Sequence, residues 1–280
     1  MEVLAAGLHP RVRSQADGSH YTTTGELPLV PGIDGVLRDP KGRIRYTVLD
    51  DTRLGTMAER TVIDLDRSVV LLNGIDPGPG RGGDEPRDVI VGRAPPAHRL
   101  PARQGLLVLG ATGNAGRMAI QVAKRFGAGR VVAAGRDTDR LAGLHALGAD
   151  ATCTFDELAR AADVDVVTDY VWGEPTARAM VDLLSARTDR SAPLTWIEVG
   201  SVAGPEAAVP SAALRSARLQ LVGSGIGSVP GRDLVKEPPK LASAVADGAF
   251  DVRARAVPLA EVEQAWTATA GLADRIVFVP

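Results

Sequence analysis

Leu106 to Gly127 read LLVLGATGNAGRMAIQVAKRFG. The unbroken apolar run Leu106 to Leu109 predicts a buried strand. Ala115, Met118, Ala119, Val122, Ala123 and Phe126 then recur at the three-and-four spacing of one helix face, and Gly127 follows as a stop. Between strand and helix lies Gly110-Ala-Thr-Gly113-Asn-Ala-Gly116, a G-x-x-G-x-x-G turn. Glycines there let the backbone turn tightly and approach a pyrophosphate, and free N–H groups with the dipole at the helix start attract its charge. The spacing alone is weak, and the strand-turn-helix context gives it force. Gly110, Thr112, Gly113, Asn114, Ala115 and Gly116 are therefore candidate cofactor-binding residues, with helix-packing and turn glycines as the plain alternative.

Outward from that turn, short Val/Leu/Ile runs alternate with helical stretches, which predicts an α/β fold with a doubly wound parallel sheet. The strand candidates are Leu106 to Leu109, Arg130 to Ala134, Ala151 to Thr154, Val164 to Thr168, Leu194 to Val199 and Leu219 to Val222. The second ends in Gly135-Arg136, where an NAD site usually places an acid for the ribose hydroxyls. Arg136, with Arg140 one helical turn further on, suits the 2'-phosphate of NADP and predicts NADPH as cofactor. Asp137 is the competing signal, and solvated surface arginines are the alternative. Gly200-Ser201 after the fifth strand and Gly223-Ser224-Gly225 after the sixth stand at carboxyl ends, where such sheets bind ligands; nicotinamide contacts and ordinary turn chemistry both fit them.

Before Asp76 the reading is strand and turn, with Arg43 to Val48 and Arg60 to Asp64 as strands between Gly and Pro punctuation. At the other end, Arg253 to Val257 reads as a strand, Leu259 to Trp266 as a helix and Arg275 to Val279 as a last strand. The intervening DPGPGRGGDEPRDVIVGRAPPAHRLPARQ is interrupted by Pro too often for any regular ladder. The expected organisation is a β-rich domain over 1–75, rejoined by 249–280, an irregular linker over 76–103 and a Rossmann-type domain over 104–248.

Net charge is -2 and aromatic residues are 4%, which leaves neither a basic field for phosphate backbones nor rings for base stacking, so nucleic acid is not an expected partner. The lone Cys153 excludes an internal disulfide and fits a reducing, cytoplasmic setting. No apolar run reaches the roughly 18 residues of a membrane span, and the start lacks the pattern of a secretory leader. His9, His20, His98, His145 and Cys153 show no metal-ligand spacing, so no metal site is expected.

With these residues in view the chain resembles the medium-chain dehydrogenase/reductase superfamily, in its zinc-free quinone oxidoreductase branch. VLAAGLHPRVRSQADGSHY followed by ELPLVPGIDG is similar to the early part of that family's GroES-like catalytic domain, and LGTMAERTVI to a later strand turn. LLVLGATGNAGRMAIQVAKRFGA matches its cofactor turn and helix, RLAGLHALGADA the helix ending in Gly-Ala-Asp, and DRIVFVP its ending. The resemblance implies hydride transfer from NADPH, bound between two domains, to a quinone or another activated carbonyl or enone, without zinc. It places Tyr21 where the family has a tyrosine lining the substrate cleft, making it the candidate to anchor a carbonyl oxygen or donate a proton; packing its ring and wetting its hydroxyl is the alternative. His9 stands where relatives often have Asn before Pro, with a role that is catalytic or only positional, and Asp34 matches an acidic position expected to be structural. The family often dimerises through the edges of its Rossmann sheets, which implies a homodimer joined at Leu219 to Val222.

Two departures qualify the match. Relatives carry further strands before the counterpart of Val3 to Ala6, which implies an incomplete β-rich domain with an unpaired edge there. Residues 76–104 replace an apolar helix, and more than half of them are Gly, Pro or Arg, a bias for which a reading-frame slip in a high-GC gene is the hypothesis. Two other readings stay open: a catalytically inactive NADPH-binding relative, and an atypical short-chain reductase. The latter family also uses a GATGxxG turn but places it at the chain start, and its Tyr-x-x-x-Lys pair is absent.

Overall fold

The computed structural model describes residues 1–71, 104–225, 228, 244, 248–267 and 274–280. The expected linker over 76–103 lies outside them. In chain order the elements are β1 (Glu2–Leu8), α1 (Pro10–Ala16), β2 (Asp34–Arg38), β3 (Ile44–Val48) and β4 (Ser68–Val70). There follow β5 (Gly105–Leu109), α2 (Asn114–Arg125), β6 (Arg130–Gly135), α3 (Thr138–Ala142), β7 (Ala151–Thr154) and β8 (Val166–Asp169). The last are α4 (Gly173–Ala186), β9 (Leu194–Glu198), α5 (Ser211–Arg215), β10 (Leu219–Gly223), β11 (Ala254–Pro258), α6 (Val262–Thr267) and β12 (Arg275–Val279). They divide into two compact units, one built from residues 1–71 and the described residues from 244 onward, the other from 104–225 with Ser228.

The first unit is a six-stranded sheet of order β11-β12-β1-β2-β3-β4. β1 runs antiparallel to both β12 and β2, with a register shift between Val3 and Ala5, so the first strand is interior and, among the described residues, the edges are β11 and β4. The expected open edge beside Val3 to Ala6 is therefore absent: the chain's own last strand covers it. Val3, Ala5, Ala6, Val36, Tyr46, Val277 and Phe278 are all buried in this unit. Sequence reading missed α1, whose signal is Pro10 at its first turn, where a fixed φ helps and a missing N–H costs nothing. The strand expected over Arg60 to Asp64 is not formed; only Arg60 bridges to Glu2, and Thr61 N–H donates to Met1 O at 3.1 Å. Val62 is 71% exposed, and the strand pairing with β3 is β4 instead.

The second unit is a parallel sheet of order β10-β9-β8-β5-β6-β7, every pairing parallel. This is a Rossmann-type doubly wound sheet: the chain winds outward through β6 and β7, then returns to β8 beside β5 and winds the other way. Alternation along each strand builds two apolar layers. Leu107, Leu109, Val132 and Val167 pack with Met180, Leu183 and Leu184 of α4 and with Trp196. Leu106, Val108, Val131 and Val166 pack with Ala119, Ile120 and Ala123 of α2 on the other face. Phe126, expected on the buried face of α2, is 47% exposed, because the helix ends at Arg125 and Gly127, at φ +86°, turns the chain away.

Candidate functional site

All six parallel strands deliver their carboxyl ends to one rim of the sheet, and the winding reverses between β5 and β8. Open α/β sheets bind ligands at such a switch point. The turn leaving β5 is shaped there by glycine. Gly110 has φ +79°, and the N–H groups of Gly110 and Ala111 both donate to Ala134 O, at 3.1 and 3.0 Å. A Cβ on Gly116 would lie 2.5 Å from Gly110 O and 2.6 Å from the Ala111 Cα, so only glycine lets α2 close on the strand. Gly113 differs: at φ -80° any residue fits, and a Cβ there would meet only Gly110 O, at 3.5 Å. Its missing side chain leaves an exposed cradle before the helix. The first helical bond runs from Arg117 N–H to Gly113 O at 2.9 Å, so the N–H groups of Asn114, Ala115 and Gly116 precede the ladder and face the anion-binding end of the helix.

The end of β6 joins this turn. A Cβ on the buried Gly135 would lie 3.1 Å from Thr112 Cγ2 and 3.2 Å from Leu141 Cδ2, which is why glycine ends the strand. Arg136 beyond it is exposed and makes no ion pair among the described residues. Asp137 caps α3, its Oδ1 accepting from Arg140 N–H at 3.0 Å. One of its two carboxylate oxygens is thus engaged at the helix start. The exposed Arg140 donates through Nη2 to Thr112 O at 2.9 Å, holding a guanidinium beside the glycine turn. The structure therefore brings the turn residues Gly110 to Gly116, Gly135 and Arg140 together, with Arg136 next in the chain.

Sequence reading passed over the neighbouring turn, Asp169 to Gly173. Asp169 is fully buried. Its Oδ1 accepts from the N–H groups of Val171 and Trp172 at 2.8 and 3.1 Å, and its Oδ2 from Thr176 Oγ1 and Trp196 Nε1 at 2.6 and 3.0 Å. The available signal was a lone acid ending an apolar strand. Adjacent turns fasten on either side: Tyr170 N–H donates to Leu109 O at 3.2 Å, Gly200 N–H to Asp169 O at 3.2 Å and Ala203 N–H to Val171 O at 2.9 Å. Within this frame Trp172 adopts φ 52°, ψ -163°, a region essentially reserved for glycine that costs on the order of 1–3 kcal/mol. The Tyr170 hydroxyl is buried without a hydrogen-bond partner among the described residues, and burial pushes its pKa well up. Glu198, half-buried at the end of β9, has its carboxyl pKa raised by burial and then by Asp169. Ser201 is exposed just past Gly200, whereas Gly225 closes a small turn of its own, its N–H donating to Ser228 Oγ at 2.9 Å.

The other candidates lie in the first unit. His9 Nε2 is 3.0 Å from Asp34 Oδ1, and the Tyr46 hydroxyl donates to Asp34 Oδ2 at 3.1 Å. Asp34 is buried, and nearby Arg275 has its pKa lowered by burial against the pull of Asp34. This is a knot tying β1, β2, β3 and β12, the structural role expected of Asp34, and it holds the His9 imidazole against a buried carboxylate. Tyr21 is 75% exposed, its ring 4.1 Å from that of His20. His20 Nδ1 accepts from Thr22 N–H at 3.2 Å, and Thr22 Oγ1 bonds Asp51, which also pairs with Arg11. Among the described residues no group of three or more His, Cys, Asp or Glu could hold a metal ion, and no helix is long and apolar enough to cross a membrane. Cys153 is buried, and burial pushes its thiol up to about 11.

Fold and glycine turn agree with the resemblance read from the sequence: the chain is similar to a curated quinone reductase and shares the fold of solved quinone oxidoreductases and alcohol dehydrogenases. No family model matches the chain. A curated relative, the "Probable NADPH-dependent quinone reductase tdiC" of Emericella nidulans, is 28% identical over 331 aligned positions, covering 100% of this chain and 91% of the relative. Among solved structures, the quinone oxidoreductase of Thermus thermophilus, also determined with NADPH, superposes with a TM-score of 0.75 at 23% identity, covering 100% of this chain and 90% of that one. The YhdH oxidoreductase of Salmonella enterica, determined with NADP, gives 0.72 at 17% identity, covering 100% and 90%.

Proposed function

We propose that the protein is an NADPH-dependent oxidoreductase that reduces a quinone or another activated carbonyl or enone without a metal. The observation that carries this reading is the glycine turn between β5 and α2 at the switch point, with Arg136 and Arg140 at the end of the next strand. The residues fit a dinucleotide. Gly113 leaves room for a pyrophosphate, the N–H groups of Asn114 to Gly116 supply donors, and the arginines offer charge for a 2'-phosphate. Asp137, the competing acid at that strand end, has one carboxylate oxygen engaged in capping α3. Gly200 and Ser201, on the far side of the switch point, suit the nicotinamide end, with Gly225 as an outlying contact.

The bound cofactor supplies a hydride. The chain's own residues bind and orient it, and a reduced carbonyl oxygen then needs a proton or a hydrogen-bond donor. Tyr21 is the proposed donor, its phenol held beside His20. His9, engaged with Asp34, is proposed to hold the start of α1 in place rather than to move a proton. The names of the relatives point the same way, and β10, an edge of the parallel sheet, is the proposed seam of a homodimer.

The test is NADPH consumption by purified protein with a simple quinone, measured against a protein-free blank. Turnover above the blank is the expected result. Folded protein that binds NADPH without turnover would instead identify an inactive NADPH-binding relative.

A further inference from the structure

The turn after β8 combines three features that the phosphate-binding half of the site does not explain. Trp172 sits at φ 52°, ψ -163°, where glycine would fit at no cost, and Gly173 after it is at φ +70°. The frame forces this: Asp169 Oδ1 holds the Val171 and Trp172 N–H groups, and Ala203 N–H holds Val171 O. A Cβ on Gly173 would lie 3.0 Å from Ala203 O, so the turn has no slack toward the next loop. The adjoining Tyr170 carries a buried hydroxyl with no hydrogen-bond partner among the described residues. Backbone strain and unpaired buried polar groups persist where function requires them. Here a glycine conformation bears the largest side chain, half-buried at the rim of the sheet.

We propose that Trp172 is a ligand-binding residue whose indole forms a platform for the nicotinamide ring of the dinucleotide. A doubly wound sheet has two mononucleotide halves across its switch point. The glycine turn and the arginines belong to the β5-β6-β7 half, which leaves the β8-β9-β10 half, where Trp172 stands, for the other nucleotide. A flat ring, neutral while it carries the hydride and cationic once oxidised, is what an indole face stacks on. This inference rests on the proposed cofactor, and the test separates the two.

The measurement is binding of NADPH and of adenosine 2',5'-bisphosphate, which carries only the adenine half, by calorimetry, to the wild type, Trp172→Gly and Trp172→Phe. Wild-type protein that binds neither ligand overturns the cofactor reading itself. If the cofactor reading holds, Trp172→Gly should bind the bisphosphate like the wild type and lose about tenfold in NADPH affinity, as expected for one lost ring stack. Trp172→Phe, which keeps a ring, should bind NADPH within about threefold of the wild type. A Trp172→Gly protein that binds NADPH as tightly as the wild type overturns the platform. So does one that loses both ligands equally, which would mean a merely structural role.

Discussion

Removing the Arg136 guanidinium separates the two nicotinamide cofactors at the scale of one residue. Arg136→Ala should weaken NADPH binding about tenfold while NADH binding stays within about twofold, since only NADPH carries the phosphate this charge would meet; equal losses in a paired titration would sink the assignment. Arg136 was legible as a candidate because that reading depends on chain spacing: it follows a strand that follows a glycine turn. Asp169 was not, although it holds more of the rim together. Its partners Thr176 and Trp196 come from α4 and β9, and no local pattern predicts that one carboxylate will collect donors from both.

Among elements, the join of β5 to α2 makes two glycines separable that look alike in sequence. Gly116→Ala forces a Cβ to within 2.5 Å of Gly110 O, so it should lower the melting temperature by several degrees, the consequence of about 1–3 kcal/mol of overpacking. Gly113→Ala meets nothing closer than 3.5 Å and should melt like the wild type, yet lose NADPH affinity as the methyl enters the cradle; unchanged binding would show that the pyrophosphate does not pass there. The β2–β3 hairpin carries a pH dependence. Burial disfavours the charged form of Asp39, but hydrogen bonds from the Arg43 N–H, the Arg45 and Arg43 guanidinium groups and the Lys41 N–H outweigh it, holding the carboxyl well below 3.8. A pKa lower in the folded than in the unfolded state stabilises the protein fully above the unfolded value, and that contribution drains away as pH falls through the folded one. Asp39→Asn should therefore lower stability at pH 7 and flatten its decline below about pH 4, as read from urea midpoints across the acid range.

For the molecule as a whole, the chain leaves its first unit after β4, builds the parallel sheet and comes back to close the first sheet with β11 and β12. β12 is bonded to β1 on one side and β11 on the other, and its Ile276, Val277 and Phe278 are buried. Deleting Arg275 to Pro280 should open the edge of β1 and strip that core, so the protein should aggregate or be cleaved rapidly within residues 1–71 under limited proteolysis; a deletion variant as protease-resistant as the full chain would contradict this. The sequence by itself determined the parallel sheet, its glycine turn and the candidate cofactor-binding residues around it, because those depend on short-range periodicity and spacing. Tertiary structure alone decided that β1 is covered by the last strand, that Arg60 to Asp64 forms no strand and that His9 is taken up by Asp34. It also decided that a tryptophan is held in a glycine conformation at the rim. Each of these depends on groups far apart in the chain competing for the same hydrogen bonds and the same buried space, which no local window of sequence contains.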